Sequence, residues 1–175
     1  MSVIHGPRLD LAVLSGEFLD ACIADDLPRA HQLAGFAFPD EHFPRLGGEW
    51  ISKRRNQVLA DAAWEPWSLR AMLLREEQRM VGFTSFHGPP GLNSTEAPGA
   101  AEVGYTVFPE FRGRGFATET CRAMLEWARR EHGVRHFISS IEPSNGPSLR
   151  VGEKLGFTSL GMILDGELIF ELRVA

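Results

Sequence analysis

Cysteine is scarce. Cys22 and Cys121 are the only two in 175 residues, too few for a disulfide framework or a cysteine-bound zinc site. Cys121 falls inside a helical pattern and is expected to pack as a small buried thiol. No stretch approaches the ~20 apolar residues that a membrane helix needs, so no membrane partner is expected. The start, Met1-Ser2-Val3-Ile4-His5-Gly6-Pro7, has no basic run followed by an apolar one, so no signal peptide is expected and a reducing, cytoplasmic setting is the default. Basic charge is in deficit: 18 Lys and Arg against 23 Asp and Glu leave −5. That argues against a nucleic-acid partner and is compatible with a cationic one. No histidine pair stands at metal-ligand spacing, so no metal is expected. There is no internal repeat and no charge run. With 43% hydrophobic and 23% charged residues, residues 1–175 are expected to form one domain with a substantial core.

Patterning then divides the chain. Residues 8–14 alternate, with Leu9, Leu11 and Val13 on one face, and predict a strand. Ser15 is placed to cap a helix reaching about Ala24. Residues 26–61 suggest helical pieces broken by Pro28, Pro39, Pro44 and Gly47-Gly48. Segments 67–75 and 80–87 form a predicted hairpin across Glu76-Glu77-Gln78-Arg79, and 88–99 a loop. A strand over 101–108 is followed by a helix over 116–130, in which Ala117, Cys121, Met124 and Ala128 recur at helical spacing. A strand over 136–141 precedes a short helix over 144–155 stopped by Gly156. The Asp165-Gly166 turn joins the last two strands, 157–164 and 167–174. The order predicts a mixed α/β sheet, antiparallel at its start and end, with one parallel step across the helix at Phe116.

The chemistry-bearing segment is Arg112-Gly113-Arg114-Gly115-Phe116-Ala117-Thr118. It lies between a strand and a helix N-terminus, where unpaired N–H groups and the helix dipole favour an anion. Gly113 and Gly115 let the backbone curl closely around a phosphate or diphosphate. The segment is neither a P-loop nor a dinucleotide fingerprint. Read alone, it is equally a glycine-softened turn with two solvated arginines.

A second segment follows: Asn145-Gly146-Pro147-Ser148, then Glu153-Lys154-Leu155-Gly156-Phe157. Arg112-x-x-Gly115-x-Ala117 resembles the coenzyme A signature of the GNAT N-acyltransferase superfamily, and Asn145-x-x-Ser148 with Leu155-Gly156-Phe157 resembles its second conserved segment. Glu102-Val103-Gly104-Tyr105 and Phe108-Pro109-Glu110-Phe111 are similar to the branch typified by ribosomal-protein-alanine acetyltransferases. The resemblance implies a GNAT fold: a mostly antiparallel sheet with a splayed central parallel strand pair, flanked by helices. It implies acetyl-CoA as co-substrate, its pantetheine amides lying between the strands at Ala101 and His136. The diphosphate would rest on the backbone N–H groups of Arg112, Gly113, Arg114, Gly115, Phe116 and Ala117, with charge from Arg114 and a hydroxyl from Thr118. Asn145 would bond the pantetheine arm or cap its helix, or both. Backbone N–H groups of Thr106, Val107 and Phe108 would polarise the thioester carbonyl.

The reaction implied is acetyl transfer to a primary amine by direct attack in a ternary complex. A lysine amine at pKa ~10.4 costs about 4 kcal/mol to deprotonate near neutrality, whereas an α-amine at ~7.7–8.0 costs under ~1. A protein or peptide N-terminus therefore needs only a modest base; a small-molecule amine is the runner-up acceptor. Alternation sets Glu102, Gly104 and Thr106 on one strand face, making Glu102 the candidate base, or else a solvated strand-end carboxylate. Many GNAT enzymes carry a tyrosine acid where this chain has Gly152. The only tyrosine, Tyr105, lies on the apolar face and reads as core. Ser148 then becomes the candidate acid, or else a helix-start serine satisfying a backbone group. The absent tyrosine also fits an alternative, an acyl-CoA-binding module without catalysis. Six aromatics crowd 36–67 (Phe36, Phe38, Phe43, Trp50, Trp64 and Trp67). They line an acceptor pocket or fill core, with His31 and His42 nearby in sequence. A homodimer is compatible with all of this.

Overall fold

The computed structural model describes residues 3–39 and 43–175. His42 lies outside the described residues. Eight strands form one sheet: β1 (Ile4–His5), β2 (Leu9–Val13), β3 (Arg70–Leu74), β4 (Arg79–Phe86), β5 (Ala101–Val107), β6 (His136–Ile141), β7 (Thr158–Leu164) and β8 (Glu167–Arg173). Their order across the sheet is β1-β2-β3-β4-β5-β6-β8-β7. Every neighbouring pair is antiparallel except β5 and β6. The mixed sheet expected from the pattern is thus present; β1 is an addition the alternation did not announce.

Capping chemistry explains the helices. Ser15 caps α1 (Gly16–Ile23), its side chain accepting from the Phe18 N–H at 3.2 Å. Asp26 caps α2 (Leu27–Ala34) through the Arg29 N–H, Pro28 sits in the first turn, and Gly35 ends it at φ +69°. The expected break at Pro44 and Gly47-Gly48 does not occur. A single helix, α3 (Phe43–Ala60), runs through all three. Pro44 falls in the first turn, where its missing N–H costs nothing. The glycine penalty of about 1 kcal/mol each is outweighed by burying Phe43 and Ile51, which are 0% and 2% exposed. Helix α4 (Phe116–His132) is closed by Gly133, and α5 (Gly146–Leu155) by Gly156, both left-handed.

The helices divide between the sheet faces. Phe43 of α3 packs edge-on against Phe83, 5.5 Å between ring centres. Phe86, three residues on and so on the opposite face, stacks on Trp127 of α4. Strand β4 passes this division to β5 through its register, with Phe83 opposite Thr106 and Phe86 opposite Val103. Glu102, Gly104 and Thr106 therefore look toward the α1–α3 side; Val103, Tyr105 and Val107 look toward α4.

The crowded aromatics resolve unequally. Phe38, Phe43 and Trp67 are buried, and Phe18 gathers Phe36, Phe38 and Phe43 within 6 Å. Trp50 stays exposed. Both thiols are buried; burial pushes Cys22 up to about 11 and Cys121 up to about 12.

Candidate active site

The site begins where the parallel pair comes apart. Strands β5 and β6 are paired only at Ala101–Phe137 and Glu102–Ile138. From Val103 onward β5 has a partner on one side alone. Main-chain direction shows which groups this leaves. The Glu102 carbonyl accepts from the His87 N–H and the Phe108 N–H donates to the Val81 carbonyl, while the Gly104 carbonyl accepts from the Thr84 side-chain hydroxyl. Even-numbered residues of β5 thus turn their amides toward β4. The odd-numbered Val103, Tyr105 and Val107 turn theirs toward the gap. Val107 alone of the three amides expected to polarise a thioester opens into the gap. Thr106 turns its amide away, and Phe108 spends its N–H in the sheet and is fully buried.

A cleft of about 480 Å³ continues from this gap. Its wall brings together Tyr105, Thr106 and Val107 from β5, Arg112, Gly113 and Gly115 from the loop, and Phe116, Ala117 and Thr118 from the first turn of α4. Asn145, Pro147, Ser148, Arg150, Val151 and Lys154 of α5 complete it. Gly113 and Gly115 hold φ of +74° and +80°, a region costly for any residue with a Cβ. They bend the loop so that the first turn of α4 lines the cleft. Arg112 donates from Nε to the Val107 carbonyl at 3.0 Å, pinning the loop to the strand end. Arg114 is not on this wall; its guanidinium packs over the Phe116 ring, 5.1 Å from the centre.

A brace unseen in the sequence holds the loop from behind. Glu119, in the first turn of α4, accepts from the backbone N–H groups of Arg8 and Leu9 at 2.6 and 2.9 Å and from Arg8 Nε at 2.8 Å. Arg8 in turn donates to the Arg114 carbonyl at 3.1 Å. A carboxylate that would repel an anion at this helix end is therefore neutralised. Arg150 and Lys154 add two cations to the wall that the motifs alone do not single out. Their signal was present: Pro147, Ser148, Val151 and Lys154 recur at helical spacing on one face of α5.

Asn145 does cap α5, its Oδ1 accepting from the Ser148 N–H at 3.2 Å, and it also lines the cleft. The Ser148 side chain lies beside the Tyr105 hydroxyl. Tyr105 thus packs against the core, as expected, and also forms part of the cleft wall. Burial, with Cys121 nearby, pushes its hydroxyl up to about 12, against a lowering from Ser148.

Glu102 is not on the cleft wall and is not solvated: it is 0% exposed. Its Oε1 accepts from Ser140 Oγ at 2.5 Å, and its Oε2 from the Ser94 N–H at 2.6 Å. His87 Nδ1 lies 3.3 Å from the same Oε2. Burial pushes the carboxyl up. The hydrogen bond and charge of His87, then Ser140 and Ser94, outweigh it and hold Glu102 at about 2. Arg54 of α3, 2% exposed, adds attraction; burial lowers it to about 10, which leaves it cationic at neutral pH. Among the described residues no group of three or more metal-ligating side chains could hold a metal ion, and no helix is long and apolar enough to cross a membrane.

Residues 19–158 match the acetyltransferase (GNAT) domain family. The uncharacterized N-acetyltransferase YnaD of Bacillus subtilis is 29% identical over 90 residues, 51% of this chain and 49% of that protein. The chain thus spans about half the length of that relative. The uncharacterized N-acetyltransferase YjdG of Bacillus subtilis is 29% identical over 165 residues, 90% of each chain. Among solved structures, the ribosomal L7/L12 alpha-N-protein acetyltransferase RimL in complex with coenzyme A superposes with a TM-score of 0.65 at 16% identity, over 99% of this chain and 98% of its own. An acetyltransferase from Agrobacterium tumefaciens reaches 0.66 at 21% identity, over 99% and 95%.

Proposed function

Because the chain belongs to the GNAT acetyltransferase family, we propose that it transfers the acetyl group of acetyl-CoA to the α-amine of a peptide or protein N-terminus, by direct attack in a ternary complex. One observation carries the reading: the splayed β5–β6 pair opens directly into a cleft lined by Gly113, Gly115 and the first turn of α4. Acetyl-CoA supplies an activated thioester. The chain's residues suit its parts. Opening amides of α4 receive the diphosphate. Arg112, Arg150 and Lys154 give a protein of net charge −5 a cationic cleft. The odd-numbered amides of β5 offer a ladder to the pantetheine. The α-amine acceptor rests on the modest deprotonation cost given above; among the described residues no carboxylate lines the cleft to serve a more basic amine.

In this reading Ser148 returns a proton to the departing sulfur, with the Tyr105 hydroxyl beside it. A thiol leaving group at pKa ~8.5 needs limited help, so the effect is moderate. Ser148→Ala is expected to lower kcat about tenfold with coenzyme A affinity unchanged, measured by thiol release and calorimetry. Wild-type kinetics would leave Ser148 as a first-turn residue held by the Asn145 cap, with no part in proton transfer. Tyr105→Phe, which removes only the hydroxyl, is expected to lower kcat about threefold. The decisive assay presents acetyl-CoA with a peptide bearing a free N-terminus, an N-blocked peptide containing lysine, and spermidine. Transfer to the free N-terminus supports the proposal. Turnover of spermidine alone favours a small-molecule acceptor, and binding without turnover favours a non-catalytic acyl-CoA module.

A further inference from the structure

We infer that His87 is the general base that takes the proton from the acceptor amine, and that Glu102 is the positioning residue behind it. The inference rests on the acetyltransferase reading and names an atom within that site. His87 follows β4 directly, and its N–H continues the ladder by donating to the Glu102 carbonyl at 2.7 Å. Directly opposed residues of an antiparallel pair share a face, so the two side chains lie together on the α1–α3 side, across the sheet from Tyr105 and Ser148.

The ring nitrogens have different surroundings. Nδ1 stands 3.3 Å from Glu102 Oε2. An ionised carboxylate only accepts, so this neighbour favours the tautomer with its hydrogen on Nδ1. The neutral ring then carries its lone pair on Nε2, which makes no hydrogen bond among the described residues. That nitrogen overhangs Gly104, where a Cβ would stand 3.2 Å from it. Gly104 is the second residue of β5 beyond the last β5–β6 pair, at the mouth of the gap. The imidazole is 30% exposed, enough for an amine to reach. Glu102, at 0% exposure with both oxygens engaged, cannot touch a substrate itself. Glu102 of β5 is the charged group in contact with the ring among the described residues; Arg54 of α3 donates to the His87 carbonyl, and Glu167 of β8 lies near enough for a charge on His87 to lower its carboxyl.

The proton steps balance. An ammonium R–NH3+ gives one proton to Nε2, and the freed nitrogen pair forms the C–N bond to the acetyl carbon. The C–S bond breaks with its electron pair on sulfur. The nitrogen sheds its second proton, and the sulfur leaves as the thiol. Nε2 returns its proton to solvent, so each turnover releases one proton.

Two measurements on the full chain test this. Long-range proton–nitrogen NMR on histidine-labelled protein at pH 7.5, with His87→Gln for assignment, should show His87 protonated on Nδ1 and bare on Nε2, a pattern lost in Glu102→Gln. A ring protonated on Nε2 overturns the inference. With acetyl-CoA and an alanine-initiated tetrapeptide, His87→Ala should lower kcat at pH 7 about 100-fold, with coenzyme A affinity within threefold of wild type. The deficit should shrink toward pH 9, where the amine deprotonates unaided, and added imidazole should restore at least tenfold. A kcat equal to wild type across that range overturns it. Failure of the wild type to bind coenzyme A would instead overturn the enzyme reading, while the tautomer still decides the His87–Glu102 pair.

Discussion

Gly115→Glu is expected to lower coenzyme A affinity at least 100-fold while the protein still folds. The residue caps α4 at φ +80°. A Cβ there would meet nothing closer than Arg8 Nη2 at 3.6 Å, so steric space is adequate and the folding cost is the left-handed strain alone, about 1–2 kcal/mol. The new carboxylate lands among the amides meant for a diphosphate, opposing it and satisfying the donors in its stead. Gly115→Ala separates the two effects. It carries the same strain without charge and should lose less than tenfold. Calorimetry with coenzyme A and a thermal melt of each variant distinguish the cases. Retained micromolar affinity in Gly115→Glu would remove the anion seat from α4, and with it the orientation proposed for the co-substrate.

Glu102→Gln is expected to damage both stability and turnover. The buried carboxylate accepts charge-assisted hydrogen bonds from Ser140 and Ser94 beside His87, and replacing it costs about 2–3 kcal/mol. For a chain of 175 residues that lowers Tm by roughly 6–9 °C. The folded carboxyl at about 2 lies below its unfolded value near 4.3, so the native state binds fewer protons there. The stabilisation is complete above about pH 4.5 and drains away as pH falls toward 2. The variant should lack this limb, giving a flatter acid-unfolding curve. Its kcat/KM should fall about 100-fold at pH 6.5, because a glutamine amide can donate to Nδ1 and so move the ring proton to Nε2. A parallel acid-unfolding curve would show that Glu102 does not hold this linkage, and an unchanged pH–rate profile that it does not act through His87.

What could be read from the chain was what neighbouring residues decide among themselves. Ser15, Asp26 and Asn145 cap helices by bonding amides three residues on. Gly113 and Gly115 announce positive φ. Alternation in β5 assigned Glu102 and Gly104 to one face, and the motifs around Gly115 and Ser148 pointed to the GNAT family and to the loop and helix that line the cleft. These signals are short-ranged, and each is expressed within a turn or two of chain.

What the folded chain alone decided depends on groups brought from far apart. Arg8 reaches Glu119 across 111 positions to brace the loop. The register of β4 against β5 sets His87 beside Glu102, and Ser140 arrives from β6. That burial turned an expected strand-end carboxylate into an enclosed anion. The same packing drew Pro44 and the paired glycines into one helix, and carried the lone tyrosine to the cleft wall. Strand pairing and side-chain burial are settled by the free energy of the assembled sheet, and a local pattern holds no information on which distant partner will complete a buried charge.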